Sequence, residues 1–189
     1  LYYFMADLLN RLETDESLGP FMLDGQTVVL EDYFQFAPEN RERVRALVKS
    51  GRLLIGPWYT QTDFLVIGAE SITRNLLLGQ ADCDALGPRM AVGYVPFGQS
   101  AQLPMFLKQF AIDSAVVWRG WSEYDTPMTE FRWRSLDGSE VTAAVLPQGY
   151  GCAKWLPTEP QQAWPRLSAI LEKQASFSGS SQLLLPNGN

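Results

Sequence analysis

Aromatic rings, side-chain amides and one arginine gather where the short apolar runs of this sequence end. Trp58-Tyr59-Thr60-Gln61-Thr62-Asp63 closes one run, Tyr94-Val95-Pro96-Phe97-Gly98 another and Trp118-Arg119-Gly120-Trp121 a third. Asp24-Gly25-Gln26, Pro147-Gln148-Gly149-Tyr150 and Asn187-Gly188-Asn189 follow the remaining runs. Flat apolar faces that stack and amides that hold hydroxyls are the equipment of a sugar site. The same rings also pack the rim of an α/β fold, and both readings stand at this point. Other chemistries are excluded by count. The chain has no histidine, so it contains no Ser-His-Asp triad, no Cys-His pair and no histidine metal ligand or base. Cys83 and Cys152 form no C-x-x-C. Neither Gly-x-Gly-x-x-Gly nor a P-loop occurs.

The elements that must position these groups alternate. Strands are expected at Phe21–Asp24, Leu53–Tyr59, Ala91–Val95, Ser114–Trp118, Val141–Leu146 and Gln182–Leu185. Their starts are spaced by about 23 to 41 residues, the repeat of βα units in a parallel barrel or doubly wound sheet. Apolar positions at helical spacing place helices over residues 2–12, Glu39–Ser50, Ala69–Leu86, Leu103–Phe110 and Thr158–Gln174. Gly87 should end the third of these and Ser100 cap the fourth. Pro165 should kink the last or delay its start. In such folds the chemistry sits at the carboxyl ends of the strands. Asp24 reads as a turn former at Asp24-Gly25, and Cys83 as a core residue within a helix.

With 189 residues, 46% apolar and 19% charged, the sequence fits one sizeable core. The expected organisation is a single domain over 1–189. A net charge of −6 argues against a nucleic-acid partner. No apolar run reaches the ~18 residues of a membrane span, and the sparse cysteines make a reduced, cytoplasmic setting the default. The sequence opens inside a helix without an initiator Met and stops in a loop, as a piece of a longer chain would.

Taken in order, the strand-end segments resemble glycoside hydrolase family 38 α-mannosidases, in particular the bacterial branch with mannosylglycerate hydrolases. The matching stretches are Leu23-Asp24-Gly25-Gln26-Thr27, Glu31-Asp32-Tyr33-Phe34, Ile55 through Asp63, Ala69-Glu70-Ser71-Ile72 and Arg74-Asn75-Leu76. Gly93-Tyr94-Val95-Pro96, Phe97 through Pro104, Trp118-Arg119-Gly120, Asp137 through Thr142 and Leu184 through Gly188 complete the set. The resemblance implies an amino-terminal catalytic domain with a seven-stranded parallel β/α barrel, its first strand preceding Leu1. It implies a metal-dependent retaining α-mannosidase whose partner is an α-mannoside, with homo-oligomerisation left open. The divalent metal would be zinc in most members, with calcium the alternative.

The departures fall on the machinery. The family's His-x-Asp metal ligands would precede Leu1. Its nucleophile, an Asp in Pro-Asp-Ser-Phe-Gly, has no counterpart, because Pro96 abuts Phe97. The acid/base Asp would follow Asn189. Catalytic and metal-ligating residues are therefore expected to be absent from this chain. Either they are omitted from a normal enzyme, or the protein is a non-catalytic sugar-binding barrel. A family 57 hydrolase or a polysaccharide deacetylase on a related barrel is a third reading, which the ordered segments disfavour. The resemblance marks Phe97, Arg119 and Tyr150 as substrate contacts, with Trp58 and Asp63 lining the second strand end. Packing at a helix entry is the alternative for Phe97, and an ion pair with Glu123 or Asp125 for Arg119. For Trp58 and Asp63 the alternative is wall building and loop anchoring.

Overall fold

Met5, Leu8, Leu9 and Leu12 recur at three- and four-residue steps, so on a helix they share one face. In a computed structural model, which describes residues 1–120, 122 and 128–188, they are the buried stripe of α1 (Tyr2–Thr14). The chain divides into two units, Leu1–Thr62 with Ile67–Gly93 and Asp63–Val66 with Tyr94–Asn189.

In the first unit α1 is followed by β1 (Phe21–Met22), α2 (Val28–Phe36), a 3-10 turn (Pro38–Asn40), α3 (Arg41–Lys49), β2 (Leu53–Leu54) and α4 (Ala69–Leu86). β1 and β2 pair in parallel, Phe21 opposite Leu53 and Met22 opposite Leu54. Further along, Gln26 bridges Trp58 in the same sense. The α1 stripe joins Leu30, Tyr33 and Phe34 of α2, Val44, Leu47 and Val48 of α3, and Cys83 and Leu86 of α4 in one core. Each large aliphatic side chain so buried contributes about 1.5–3 kcal/mol. Arg52 closes the carboxyl end of α1: its guanidinium donates to the carbonyl of Leu12, a group that a helix end leaves without a partner, and to those of Asp15 and Leu18 in the segment that follows.

Two residues of α4 fix the chain after β2. Gly79 permits contact with the backbone, since a Cβ there would fall 2.3 Å from the Pro57 carbonyl oxygen. Asn75, 7% exposed, accepts from the amides of Tyr59 and Thr60 at 2.8 and 3.2 Å and donates to the Thr60 carbonyl at 2.8 Å. Cys83 is buried as expected. Burial pushes its thiol up to about 12, with nearby Asp82 adding to the shift. Gly87 ends α4 at φ +155° and donates to the Cys83 carbonyl.

The second unit holds a sheet in the order β3-β4-β6-β5. Tyr94 and Val95 of β3 (Val92–Val95), β4 (Ser114–Val117), β5 (Glu130–Arg134) and β6 (Glu140–Val145) fall in it, with α5 (Leu103–Gln109) and α6 (Pro160–Ala175). β4 and β6 run parallel, Ser114 opposite Thr142 through Val117 opposite Val145. Val141, Ala143 and Val145 are buried on alternate positions of β6, the period of a strand with one covered face.

Several expectations are corrected here. An α/β fold stands; among the described residues its sheets are a parallel pair and a mixed four-stranded sheet, which do not by themselves show the expected seven-stranded barrel. β5 was not foreseen. It runs antiparallel to β6, with Glu130 opposite Ala144 and Arg134 opposite Glu140. The turn between them is Asp137-Gly138, with Gly138 at φ +88° and Asp137 Oδ1 accepting from the Ser139 amide, a frequent hairpin signal. Charge hid this strand: Arg132 and Arg134 both pair with Glu140. α2 was also missed. Gln182–Leu185 forms no strand, and both edges of β6 are taken, by β4 and β5. Gln102, not Ser100, precedes α5 as its cap residue, while the Ser100 carbonyl accepts from the Leu103 amide. α6 begins at Pro160 and runs through Pro165.

Candidate functional site

Parallel strands bring their carboxyl ends to one side, and β4 and β6 do so here. The Leu146 amide donates to the Val117 carbonyl at 2.9 Å, and the Arg119 amide to the Pro96 carbonyl at 3.3 Å. The segments after β3, β4 and β6 therefore converge. The Arg119 guanidinium carbon lies 5.1 Å from the Phe97 ring centroid and 4.7 Å from that of Trp118. Tyr150 meets Trp118 edge-on, with centroids 4.5 Å apart and an interplanar angle of 80°, and Phe97 at 6.5 Å and 75°. Ring edges directed at ring faces, with a guanidinium over two faces, follow the quadrupole of the π-system.

Glycines make the approach close. Gly149 has φ +74°, and a Cβ there would fall 2.9 Å from Trp118 Cζ2. Gly98 has φ +59°, and its Cβ would overlap the Asp63 carboxylate. Asp63 is exposed, and its Oδ1 accepts from the Leu65 amide at 3.0 Å, so its contacts are those of a loop anchor beneath the Phe97-Gly98 turn. Gln99 Nε2 donates to the Val95 carbonyl at 3.0 Å and supports the same turn. The loop after β6 is tied at both ends: the Gly188 amide donates to the Tyr150 carbonyl at 2.7 Å, and the Ala153 amide to the Pro186 carbonyl at 3.0 Å.

Of the residues expected at the site, Phe97, Arg119 and Tyr150 are thus brought into one cluster, with Asp63 against the adjoining turn. Trp58 lies in the other unit and is fully buried, with its amide donating to the Gly25 carbonyl at 3.1 Å. Its placement is that of a wall residue. Glu123 and Asp125, the alternative partners of Arg119, lie outside the described residues, as does Trp121. Trp118 is among the strand-end rings of the sequence but, like Gln99, is not one of the residues marked there as substrate contacts. The signal was the adjacency Trp118-Arg119, which puts a ring beside a cation at a strand end.

The cluster offers stacking faces for the apolar side of a pyranose and a planar cation that can donate to hydroxyls or grip a carboxylate. The chain has no histidine, and among the described residues no three of His, Cys, Asp and Glu converge to hold a metal ion. The described residues do not by themselves fit a divalent metal.

The sequence model of the glycosyl hydrolases family 38 N-terminal domain matches residues 3–189. This chain belongs to that family. A family 38 relation is seen equally in individual proteins. The chain is 37% identical over 202 aligned positions to a protein of Halalkalibacterium halodurans named "Putative mannosylglycerate hydrolase", matching over all of this chain and 22% of that protein. The crystal structure of an α-mannosidase from Enterococcus faecalis superposes with a TM-score of 0.93 at 28% identity, over 99% of this chain and 22% of that one. A second family 38 protein from Enterococcus faecalis gives a TM-score of 0.81 at 29% identity, over all of this chain and 21% of that one. This chain therefore spans about a fifth of the length of these relatives. Among the described residues no helix is long and apolar enough to cross a membrane.

Proposed function

We propose that the protein to which this family 38 domain belongs is a retaining, metal-dependent α-mannosidase. We propose further that Phe97, Trp118, Arg119 and Tyr150 contact the mannosyl ring. The observation that carries the reading is the convergence of one exposed guanidinium on two aromatic faces, at the carboxyl ends of parallel strands. Ring faces bind the C–H surface of a sugar, and the guanidinium donates to its hydroxyls. A retaining mechanism needs two carboxylates about 5–5.5 Å apart. On this reading they come from residues outside this sequence, with Arg119 holding the nucleophile ionised and oriented. The divalent cation would likewise be held by residues outside this sequence, and would polarise sugar oxygens.

The direct junction of Pro96 to Phe97 favours a second reading, a sugar-binding domain without turnover. One experiment separates them. The full-length protein is incubated with an aryl α-mannoside, with and without a chelator, and the first-formed anomer is read by NMR. Release of α-mannose, abolished by chelation, supports the enzyme. Release of β-mannose overturns retention, and binding of the mannoside without any release supports the second reading.

A further inference from the structure

The segment that carries β1 is interrupted without losing its register. Phe21 and Met22 face Leu53 and Leu54, and Gln26 faces Trp58 in the same parallel sense, so the residue offset is the same on either side of the interruption. Between them Asp24 has φ +44° and Gly25 φ +69°, and the Gln26 amide donates to the Leu23 carbonyl at 3.2 Å. Two left-handed centre residues inside such a bond make the primed turn that ordinarily closes a hairpin. Here it closes none. The Leu23 amide donates to the Leu54 carbonyl, the Trp58 amide to the Gly25 carbonyl and the Thr27 amide to the Trp58 carbonyl, so pairing runs on through it. The turn lifts Asp24 out of the line of the strand, in a backbone state that only glycine adopts freely. Interruptions of a ladder re-aim a side chain in this way.

Asp24 so placed is exposed, and two glutamines orient it. Gln26 Nε2 donates to Asp24 Oδ2 and Gln61 Nε2 to the Asp24 carbonyl, each at 3.3 Å, while Gln26 Oε1 accepts from the Gln61 amide at 3.0 Å. All three residues belong to the first unit. The set is incomplete. Gln61 Oε1 is enclosed and has no partner among the described residues, the mark of a network that lacks one of its members. Among the described residues none donates to Asp24 Oδ1, and none accepts the second N–H of Gln26 Nε2. A carboxylate oxygen and an amide N–H, on groups held 3.3 Å apart, are therefore open side by side.

We propose that Asp24 and Gln26 form a hydroxyl-binding subsite of the first unit, which holds two neighbouring hydroxyls of the carbohydrate substrate. The proposal rests on the carbohydrate reading and adds to it residues that the aromatic cluster does not contain. A hydroxyl both donates and accepts. One hydroxyl donates to Asp24 Oδ1, a charge-assisted bond, and its neighbour on the ring accepts from Gln26 Nε2. Gln61 is a positioning residue: its backbone N–H on Gln26 Oε1 fixes which end of that amide donates, and its side chain on the Asp24 carbonyl braces the turn. A turn former alone would need no carboxylate, because asparagine or glycine fills this backbone state at least as well.

The test uses the full-length protein, calorimetric binding of an α-linked mannobiose and a thermal melt of each variant. Asp24→Asn keeps the shape of the side chain and removes its charge, and Asp24→Gly removes the side chain. Both new residues enter the left-handed region at least as readily as aspartate, so both midpoints should lie near that of wild type or above it. Binding should nonetheless weaken about tenfold in Asp24→Asn, the loss of one charge-assisted hydrogen bond, and further in Asp24→Gly. Should Asp24→Gly melt well below wild type, Asp24→Asn alone decides the matter. Wild-type affinity in the variants overturns the subsite and leaves Asp24 a turn former; a wild type that binds no mannobiose overturns it too. Because binding is read without turnover, the subsite and the hydrolase stand or fall separately. Weakened binding in both variants, with no hydrolysis of an aryl α-mannoside by wild type, sinks the hydrolase alone. Hydrolysis by a wild type whose Asp24 variants bind mannobiose equally well sinks the subsite alone.

Discussion

Arg119 sits over two rings, and what it gives the cluster is shape as well as charge. Lysine would keep the charge but lose the planar fork that grips a carboxylate and a hydroxyl together. In the full-length protein Arg119→Lys should lower turnover of an aryl α-mannoside by on the order of 10- to 1000-fold. Its thermal midpoint should stay near that of wild type. Substituting Glu123 or Asp125 should leave turnover unchanged; the reverse pattern would place Arg119 in an ion pair outside the site. Gly149→Ala tests the packing under the rings. Its φ of +74° and the 2.9 Å approach to Trp118 should cost about 1–3 kcal/mol, and the displaced Tyr150 should raise KM; unchanged stability and KM would show that the loop absorbs a methyl group. The site was legible in the sequence where strand ends converge. Phe97, Arg119 and Tyr150 lie far apart in the chain, yet each follows a strand, and parallel strands deliver such residues to one place. Trp58 also follows a strand, but sequence cannot say that its ring turns inward. Its backbone lies against α4, an approach that Gly79 permits, and Gly79 has no side chain to advertise it.

At the scale of elements, two polar devices hold segments that apolar packing alone does not fix. Asn75 satisfies the backbone of Tyr59 and Thr60 from within α4. Asn75→Leu should strand the Thr60 amide and carbonyl, at about 1–3 kcal/mol, and speed hydrogen exchange at the Thr60 amide, whereas the Tyr59 amide keeps the Asn75 backbone carbonyl; unaltered exchange at Thr60 would mean the loop is held by other contacts. Glu130 at the start of β5 accepts from the Gly179 amide, the Ser178 and Thr129 hydroxyls at 2.9 Å each, and the Ser180 hydroxyl at 3.4 Å. Burial works to raise its carboxyl, but these donors together hold it below its ordinary value of 4.5. The depressed folded value means the contribution is complete above about 4.5 and is lost as pH falls through the folded value. The Gly179 amide shift, followed by NMR, should titrate with a midpoint below 4.5. A midpoint at or above 4.5 would deny the role of the donors. Helices with clear apolar periodicity were read correctly, α1 and α4 most fully. α2 escaped because Val28-Val29 opens it with β-branched residues, and Pro38, just past its end, reads equally as the start of the next helix. Conversely, Leu183-Leu184-Leu185 reads as a strand by composition, but a strand forms only where a partner lies beside it in register, and that is a property of the sheet.

The whole chain presents large apolar side chains to solvent, with Tyr3 at 87%, Val66 at 78%, Phe36 at 77% and Trp164 at 64%. Since the chain spans about a fifth of its relatives, residues 1–189 produced alone should bind a hydrophobic dye and lack a cooperative melt, and should not cleave an aryl α-mannoside. A sharp melting transition would contradict the first expectation and cleavage the second. The antiparallel hairpin has its own bearing on how such molecules meet. β5 ends its sheet, so one row of its backbone groups faces outward, a template on which a second copy could stack. Along that border Arg132 and Arg134 stand 84% and 70% exposed. Two copies laid edge to edge would bring these four guanidinium groups together with only two Glu140 carboxylates to balance them, which disfavours pairing along that border.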